Sequence, residues 1–359
     1  MSFIINCHTH LFTFYHVPVR FIFGQRLLAS TKAGRSRLAF ALFRLNPWND
    51  YGKLDRLAVF IQNGNVDTQA EIYDRLSIYY PSSARFVVHS IDFDYMGAGR
   101  SPIPFLGQLK ELAELKRIHP KKIYPFVCAD PRRPKISSLV RQYIEKKGFA
   151  GIKLYPAMGF FPFDERLYPL YEYAQEYQIP IMTHCSCSGP VFGRNIPPKK
   201  ERFHPKTGAE LIGKNKRHFA DHYSTPENYF YLLKDFPRLK ICFAHFGGDA
   251  QCKKYYKSNE LSEVRDNWFV QVSQLLRSYP NTYADISYSA ANFDLLALFN
   301  ALLQSSTTKH KILFGSDFYM SNIERNERWF SMNVLMHLGE ERYMQIAHTN
   351  AIKYLENFL

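Results

Sequence analysis

The sequence predicts a (β/α)8 TIM barrel with long insertions after strands one and five. Three observations carry that prediction. Apolar strand-like runs occur eight times along the 359 residues, most of them separated by helical stretches, and β-then-α alternation implies parallel strands joined by right-handed crossovers. No Pro/Ser-rich linker divides the chain, so residues 1–359 read as one domain of a length that fits eight such units. The runs also tend to end in residues that bind metals or move protons. A doubly wound open sheet is the alternative, but no Gly-x-Gly-x-x-Gly follows an early strand.

Strand one is Ile4-Ile5-Asn6-Cys7-His8-Thr9-His10. Side chains alternate along an extended chain, so His8 and His10 face one way, with Cα atoms about 6.5 Å apart. A long connection, residues 11–65, follows. Within it Phe21–Leu45 reads as one or two short amphipathic helices around Gly34, a lid on the body of the protein. Helix Asp67–Tyr80 leads to strand Arg85–Asp92, helix Leu106–Ile118 to strand Lys122–Ala129, and helix Ile136–Lys147 to strand Phe149–Tyr155. Helix Glu165–Tyr177 precedes the strand that ends at His184. Residues 186–224, rich in Pro, Gly and Lys, read as loop, and helix Pro226–Phe236 returns the chain to the strand ending at His245. Helix Glu260–Ser278, strand Thr282–Ile286, helix Asp294–Gln304 and strand Lys311–Ser316 continue the alternation. Two helices, Glu324–His337 and Glu340–Ile352, close it.

The formal net charge is +14, and its distribution says more than its size. Residues 1–49 carry +6 and residues 186–224 carry +5. Neither stretch has the aromatic-interleaved pattern of a single-strand binder or a helix-turn-helix, so no nucleic-acid partner is expected. Six cysteines in so long a chain are not a disulfide framework. The apolar beginning lacks a basic leader and no uncharged run approaches the roughly 18 residues of a membrane span. A cytoplasmic protein without membrane contact is the expectation.

In a (β/α)8 barrel the C-terminal ends of the strands converge on one mouth. His8 and His10 (strand one), Lys153 (strand four), His184 (strand five), His245 (strand six) and Asp317 (strand eight) all stand there. Histidines with a carboxylate suit a borderline divalent ion such as zinc, with positions left open for water and substrate.

Cys-His-Thr-His near the start, Gly-Ile-Lys-Leu-Tyr-Pro (151–156), Thr-His-Cys (183–185), Ala-His-Phe-Gly-Gly (244–248) and Gly-Ser-Asp-Phe (315–318) stand in order. Together they resemble the amidohydrolase superfamily, in particular its amidohydrolase 2 branch, which also holds metal-dependent decarboxylases such as aminocarboxymuconate-semialdehyde decarboxylase. Asn350-Ala351 fits that family's closing helix. The resemblance runs from about residue 4 to residue 355 and implies His8, His10, His184 and Asp317 as ligands of one divalent ion, zinc first, with a second ion left open. It implies that Asp317 moves a proton and that His245 is an acid/base or oxyanion group. The expected activity is hydrolysis of a small amide, lactone or ester by a water activated at the ion. Decarboxylation on the same site is the first alternative. A TatD-like nuclease is the second, although such enzymes carry Glu where this chain has Lys153.

Lys153 has three readings: a cation for a substrate carboxylate, a structural ammonium, or a carbamylated bridge between two ions. The loops after strands one and five overhang the mouth and focus positive field there. That placement predicts a small-molecule substrate bearing a carboxylate or phosphate, held by Lys153 and Arg194. Homo-oligomerisation is left open. His89 is a weaker candidate for the mouth; Cys7 and Cys185 read as packing, and His218 and His222 as surface or loop residues.

Overall fold

Eight short parallel strands form a single sheet in sequence order. They are β1 (Ile5–Thr9), β2 (Arg85–His89), β3 (Ile123–Cys128), β4 (Gly151–Leu154), β5 (Ile181–Thr183), β6 (Ile241–Phe243), β7 (Thr282–Asp285) and β8 (Ile312–Leu313). The computed structural model describes residues 3–21, 31–45, 52–187, 197–258 and 266–359. The ring closes between β1 and the stretch that follows β8. Cys7 N donates to Phe314 O at 2.9 Å, Asp317 N to His8 O at 2.8 Å and His10 N to Phe318 O at 2.5 Å. The architecture is therefore the predicted (β/α)8 barrel.

Burial on both faces explains why the strands read as near-continuous apolar runs. Inside the barrel, Ile5, Cys7, Val87, Tyr124, Phe126, Met182, Cys242, Tyr283 and Leu313 form a separate core cluster. The C-terminal helix Asn350–Leu355 reaches this cluster with Tyr354 and Leu355, and Tyr354 Oη donates to Ile181 O at 2.9 Å. At Gly151 a Cβ would lie 2.5 Å from Pro180 O and 2.6 Å from the Phe126 ring, so β4 can pack there only with glycine.

The strands are shorter than their apolar runs, because the chain leaves the sheet as it enters the mouth. Helix Ile136–Lys147 has the predicted bounds. Helix Lys32–Arg44 continues through Gly34. Helix Lys53–Gly64 fills a part of the first connection for which no element was predicted. Residues 186–224 are not all loop: Lys216–Ser224 is helical, and Asn215 Oδ1 caps it by accepting from Arg217 N at 3.0 Å and His218 N at 3.3 Å. In place of one helix from residue 260, Asp249–Lys257 and Trp268–Ser278 are helical, residues 259–265 lying outside the described set. The closing pair is reorganised as Glu327–Met344, interrupted at Gly339 (φ 76°), then Asn350–Leu355. Among the described residues no helix is long and apolar enough to cross a membrane.

Candidate active site

The site begins with an irregularity in β1. Its pairing with β2 shifts register between Asn6 and Thr9. Such a bulge re-aims side chains: Cys7 stays in the interior cluster while His8 and His10 both turn into the mouth. Gly315 lets the end of β8 come close, since a Cβ there would sit 2.7 Å from His8 Cβ. Asp317 follows with φ 60°, and His245, Phe246 and Tyr288 after β6 and β7 also have positive φ. Non-glycine residues persist in that region only where the surroundings impose it, a feature that concentrates at functional sites.

Three donor atoms converge. His8 Nε2 and His10 Nε2 are 3.3 Å apart, and Asp317 Oδ1 is 3.5 Å from each. A tetrahedral ion with donors at about 2.0–2.1 Å has donor–donor edges of roughly 3.4 Å, so the triad has the spacing of a face of such a polyhedron. These residues are able to hold a metal ion. Lys153 Nζ, fully buried, lies 3.4 Å from His8 Nε2 and faces the same point. His184 is outside the tight triad. Its ring stacks on Tyr155 (centroids 4.3 Å, 13°) and meets the His245 ring at 5.0 Å. Its Nε2 is buried with no hydrogen-bond partner among the described residues, so a polar atom there lacks what burial demands.

The other ring nitrogens are held from behind. His8 Nδ1 donates to Asp285 Oδ2 at 2.8 Å, and His10 Nδ1 donates to His89 O at 3.0 Å, which leaves both Nε2 lone pairs directed inward. Asp285 also accepts from His245 N at 2.9 Å, Ser287 N at 3.0 Å and the Ser287 hydroxyl. His245 Nδ1 donates to Ser287 O at 3.1 Å. The sequence reading passed over Asp285; its only signal was that β7, like β8, leads into a carboxylate at the mouth. His89, the weaker candidate, is buried beside His8 (ring centroids 4.7 Å), and its Nε2 donates to Cys7 O at 3.1 Å. It braces β1 on one side.

Burial sets the charge states. It drives the His8 and His184 imidazoles well below their ordinary value, with nearby cations adding to the effect. Burial and then Lys153 bring His10 down to about 3; burial brings His245 to about 4, against the pull of Asp285. The same desolvation lowers the Lys153 ammonium and raises Asp317 well above the usual carboxylate range. Neutral imidazoles are the form that binds metals, and the donor set fits a divalent ion.

Arg194, predicted as a second substrate cation, lies outside the described residues. His218 Nδ1 accepts from Lys214 N at 3.2 Å and His222 Nε2 donates to Ile212 O at 2.9 Å, so both brace the helix Lys216–Ser224 and its approach. Aromatic residues follow the strand ends: Phe12 after β1, Tyr155 after β4, Tyr288 after β7 and Tyr319 after β8. The Phe12 ring lies 6.0 Å from His10 and Tyr288 lies 6.5 Å from His245.

The sequence model of the amidohydrolase 2 family matches residues 5–356. No curated protein matches the sequence. Among solved structures, 5-carboxyvanillate decarboxylase LigW from Sphingomonas paucimobilis superposes with a TM-score of 0.57 at 12% identity, over 99% of both chains. 2,6-Dihydroxybenzoate decarboxylase from Rhizobium gives 0.54 at 15% identity, again over 99% of both. The 5-carboxyvanillate decarboxylase of Novosphingobium aromaticivorans, complexed with manganese and 4-hydroxy-3-methoxy-5-nitrobenzoic acid, gives 0.57 at 14% identity over 99% of this chain and 96% of the other. At these identities the likeness establishes the shared fold.

Proposed function

We propose, from the premise that this chain belongs to the amidohydrolase family, that it is a divalent-metal-dependent enzyme that decarboxylates a small, planar carboxylate. The observation that carries this reading is the triad of His8, His10 and Asp317 beside a buried Lys153, in a mouth flanked by aromatic rings; His8, His245 and Asp285 form a second group of possible donors that shares His8. The decarboxylase names of the structural neighbours, and the manganese and substituted benzoic acid bound to one of them, support it.

His8, His10 and Asp317 would hold the ion, with His184 as the further donor whose Nε2 awaits a partner. A divalent ion there, zinc or manganese, supplies positive charge that orients an anionic substrate and stabilises charge developing on its oxygens. Lys153 supplies a fixed cation for a carboxylate, and in a water-poor site that attraction is far stronger than in bulk. The rings of Tyr155 and Phe12 suit a flat substrate face. In the reaction the bond between the ring carbon and the carboxylate carbon breaks and CO2 departs. The electron pair stays on the ring carbon and takes a proton. Asp317 is the group assigned to deliver it, its carboxylate having first taken that proton from water or the substrate. His245, held neutral by burial and fixed through Nδ1 to Ser287 O, presents Nε2 to the substrate.

Hydrolysis of an amide, lactone or ester is the second reading. The Asp317 arrangement favours it equally, because a carboxylate beside the ion can take the proton of a water. One experiment separates the two. Chelator-stripped protein is reconstituted with zinc or manganese and offered hydroxylated benzoates alongside neutral lactones, esters and anilides. Decarboxylation predicts CO2 release and loss of the benzoate absorbance. Turnover confined to the neutral set, without CO2, would overturn the proposal in favour of hydrolysis.

A further inference from the structure

Behind the donor-bearing ends of β1 and β8 lies a buried polar cluster that the proposed chemistry leaves unused. Glu327 opens the helix Glu327–Met344, where a first-turn acid ordinarily faces solvent, yet it is 0% exposed. Tyr80 Oη donates to Glu327 Oε1 at 2.5 Å and Ser321 Oγ to Glu327 Oε2 at 3.3 Å. Tyr80 Oη in turn accepts from Asn6 Nδ2 at 3.0 Å. The second hydrogen of that amide goes to Ser316 Oγ at 2.8 Å, while Asn6 Oδ1 accepts from Ser316 N at 3.0 Å and His8 N at 3.3 Å. Ser316 Oγ also accepts from Phe318 N at 3.2 Å.

The chain of bonds therefore starts at Glu327 and ends on the backbone of the residues that carry the candidate ion donors. Asn6 Oδ1 grips the amides of His8 and Ser316, and Ser316 Oγ grips the amide of Phe318, so the backbone is held on both sides of Asp317, the residue at positive φ. Both hydrogens of the Asn6 amide are used, so the amide cannot turn without breaking a buried bond. A buried carboxyl is costly unless its partners are good ones. Desolvation pushes Glu327 up to about 7, against the pull of its hydroxyl partners. A carboxyl kept at that cost, with each oxygen engaged, is best explained by what it fixes.

The geometry points to Glu327 as a positioning residue of the ion centre, acting through Tyr80 and Asn6 to set the backbone that presents His8 and Asp317. The inference rests on the ion-centre reading above and extends it to residues that touch neither ion nor substrate. Loss of such outer partners costs about 10–100-fold in metal affinity. The test is zinc affinity, read by competition with a chromophoric chelator, together with melting temperature, for the wild type and three variants. Glu327→Ala and Tyr80→Phe should each weaken zinc about 10–100-fold at a temperature well below their melting points. Glu327→Gln, which keeps an acceptor for Tyr80, should restore most of the affinity. Variants that melt earlier but bind zinc as the wild type does would make Glu327 a stability residue only and overturn the inference. A Gln variant no better than the Ala variant would also overturn it. If Glu327→Ala does not fold, Tyr80→Phe, which loses a single hydroxyl, decides. A wild-type protein that binds no zinc refutes the ion centre itself, an outcome distinct from equal binding by all forms.

Discussion

Replacing Asp285 by Asn should damage metal binding although Asp285 is not assigned to the ion. As an acceptor-only carboxylate it receives four donors: His8 Nδ1 on one oxygen, and His245 N, Ser287 N and the Ser287 hydroxyl on the other. An asparagine amide must turn its NH2 toward one set. Facing the Oδ1 side it meets three donors; facing His8 it meets one. The second orientation is the cheaper, and the clash is relieved if His8 moves its proton from Nδ1 to Nε2. That proton then occupies the lone pair directed at His10 and Asp317. An incoming ion must restore the original tautomer against a buried donor–donor contact, at a cost of about 1–3 kcal/mol. That corresponds to roughly 5–150-fold in dissociation constant, in line with the 10–100-fold expected for an outer partner of a metal-bound histidine. The assay is calorimetric titration of the metal-free variant with zinc and manganese, with the melting temperature of the metal-free form as control. Wild-type affinity in Asp285→Asn would refute the claim that Asp285 fixes the His8 tautomer.

Three further outcomes are expected. His10→Ala should abolish stoichiometric ion retention after dialysis while leaving the circular dichroism of the barrel intact; full retention would remove His10 from the ligand set. His245→Ala should keep the ion but lose about 10²–10⁴ in kcat, and a fall in ion content would mean instead that His245 is a ligand. Glu327 makes stability depend on pH. Its folded value of about 7 lies above the ordinary 4.5, so its contribution is intact below about pH 4.5 and is lost as pH rises through 7. The loss is on the order of 3 kcal/mol, and Glu327→Gln should flatten the decline of denaturant midpoint between pH 5 and pH 8. An unchanged slope would show that Glu327 does not titrate there.

Much of the barrel was readable because its strands are buried on both faces and therefore apolar throughout, while four of them run directly into His8 and His10, His184, His245 or Asp317. Strand ends fall on one rim in this fold, so spacing in sequence translated into convergence in space. The less legible features depend on local geometry. The register shift after Asn6, which lets Cys7 and His8 point into the same interior, leaves no mark in the alternation of side chains. Asp285 looks like any acid at a strand end until His8 is seen against it. Glu327 has the sequence position of a solvent-facing helix-start acid, and only packing against Tyr80 and Ser321 reveals otherwise. The helix at Lys216–Ser224 was hidden by the prolines, glycines and lysines that precede it.

The closure of the ring has a consequence for how the molecule comes into being. The bond between Asn6 and Ser316 spans 310 residues, and Asp317 joins β1 across nearly the same interval. As the chain leaves the ribosome, the first strand finds β2 early on one edge, but its other edge must wait for almost the entire polypeptide before its second partner exists. Contacts so remote in sequence form late, after the entropy of closing the long loop has been met. The three converging donors are thus absent from any nascent fragment. On the proposed ion-centre reading, an ion encountered during synthesis finds only the isolated His-x-His of a growing chain, and loading belongs to the finished ring. On the same reading, an ion that binds the native form alone raises its stability by RT ln(1 + [L]/Kd), so its scarcity acts on the finished barrel and not on the intermediates that precede it.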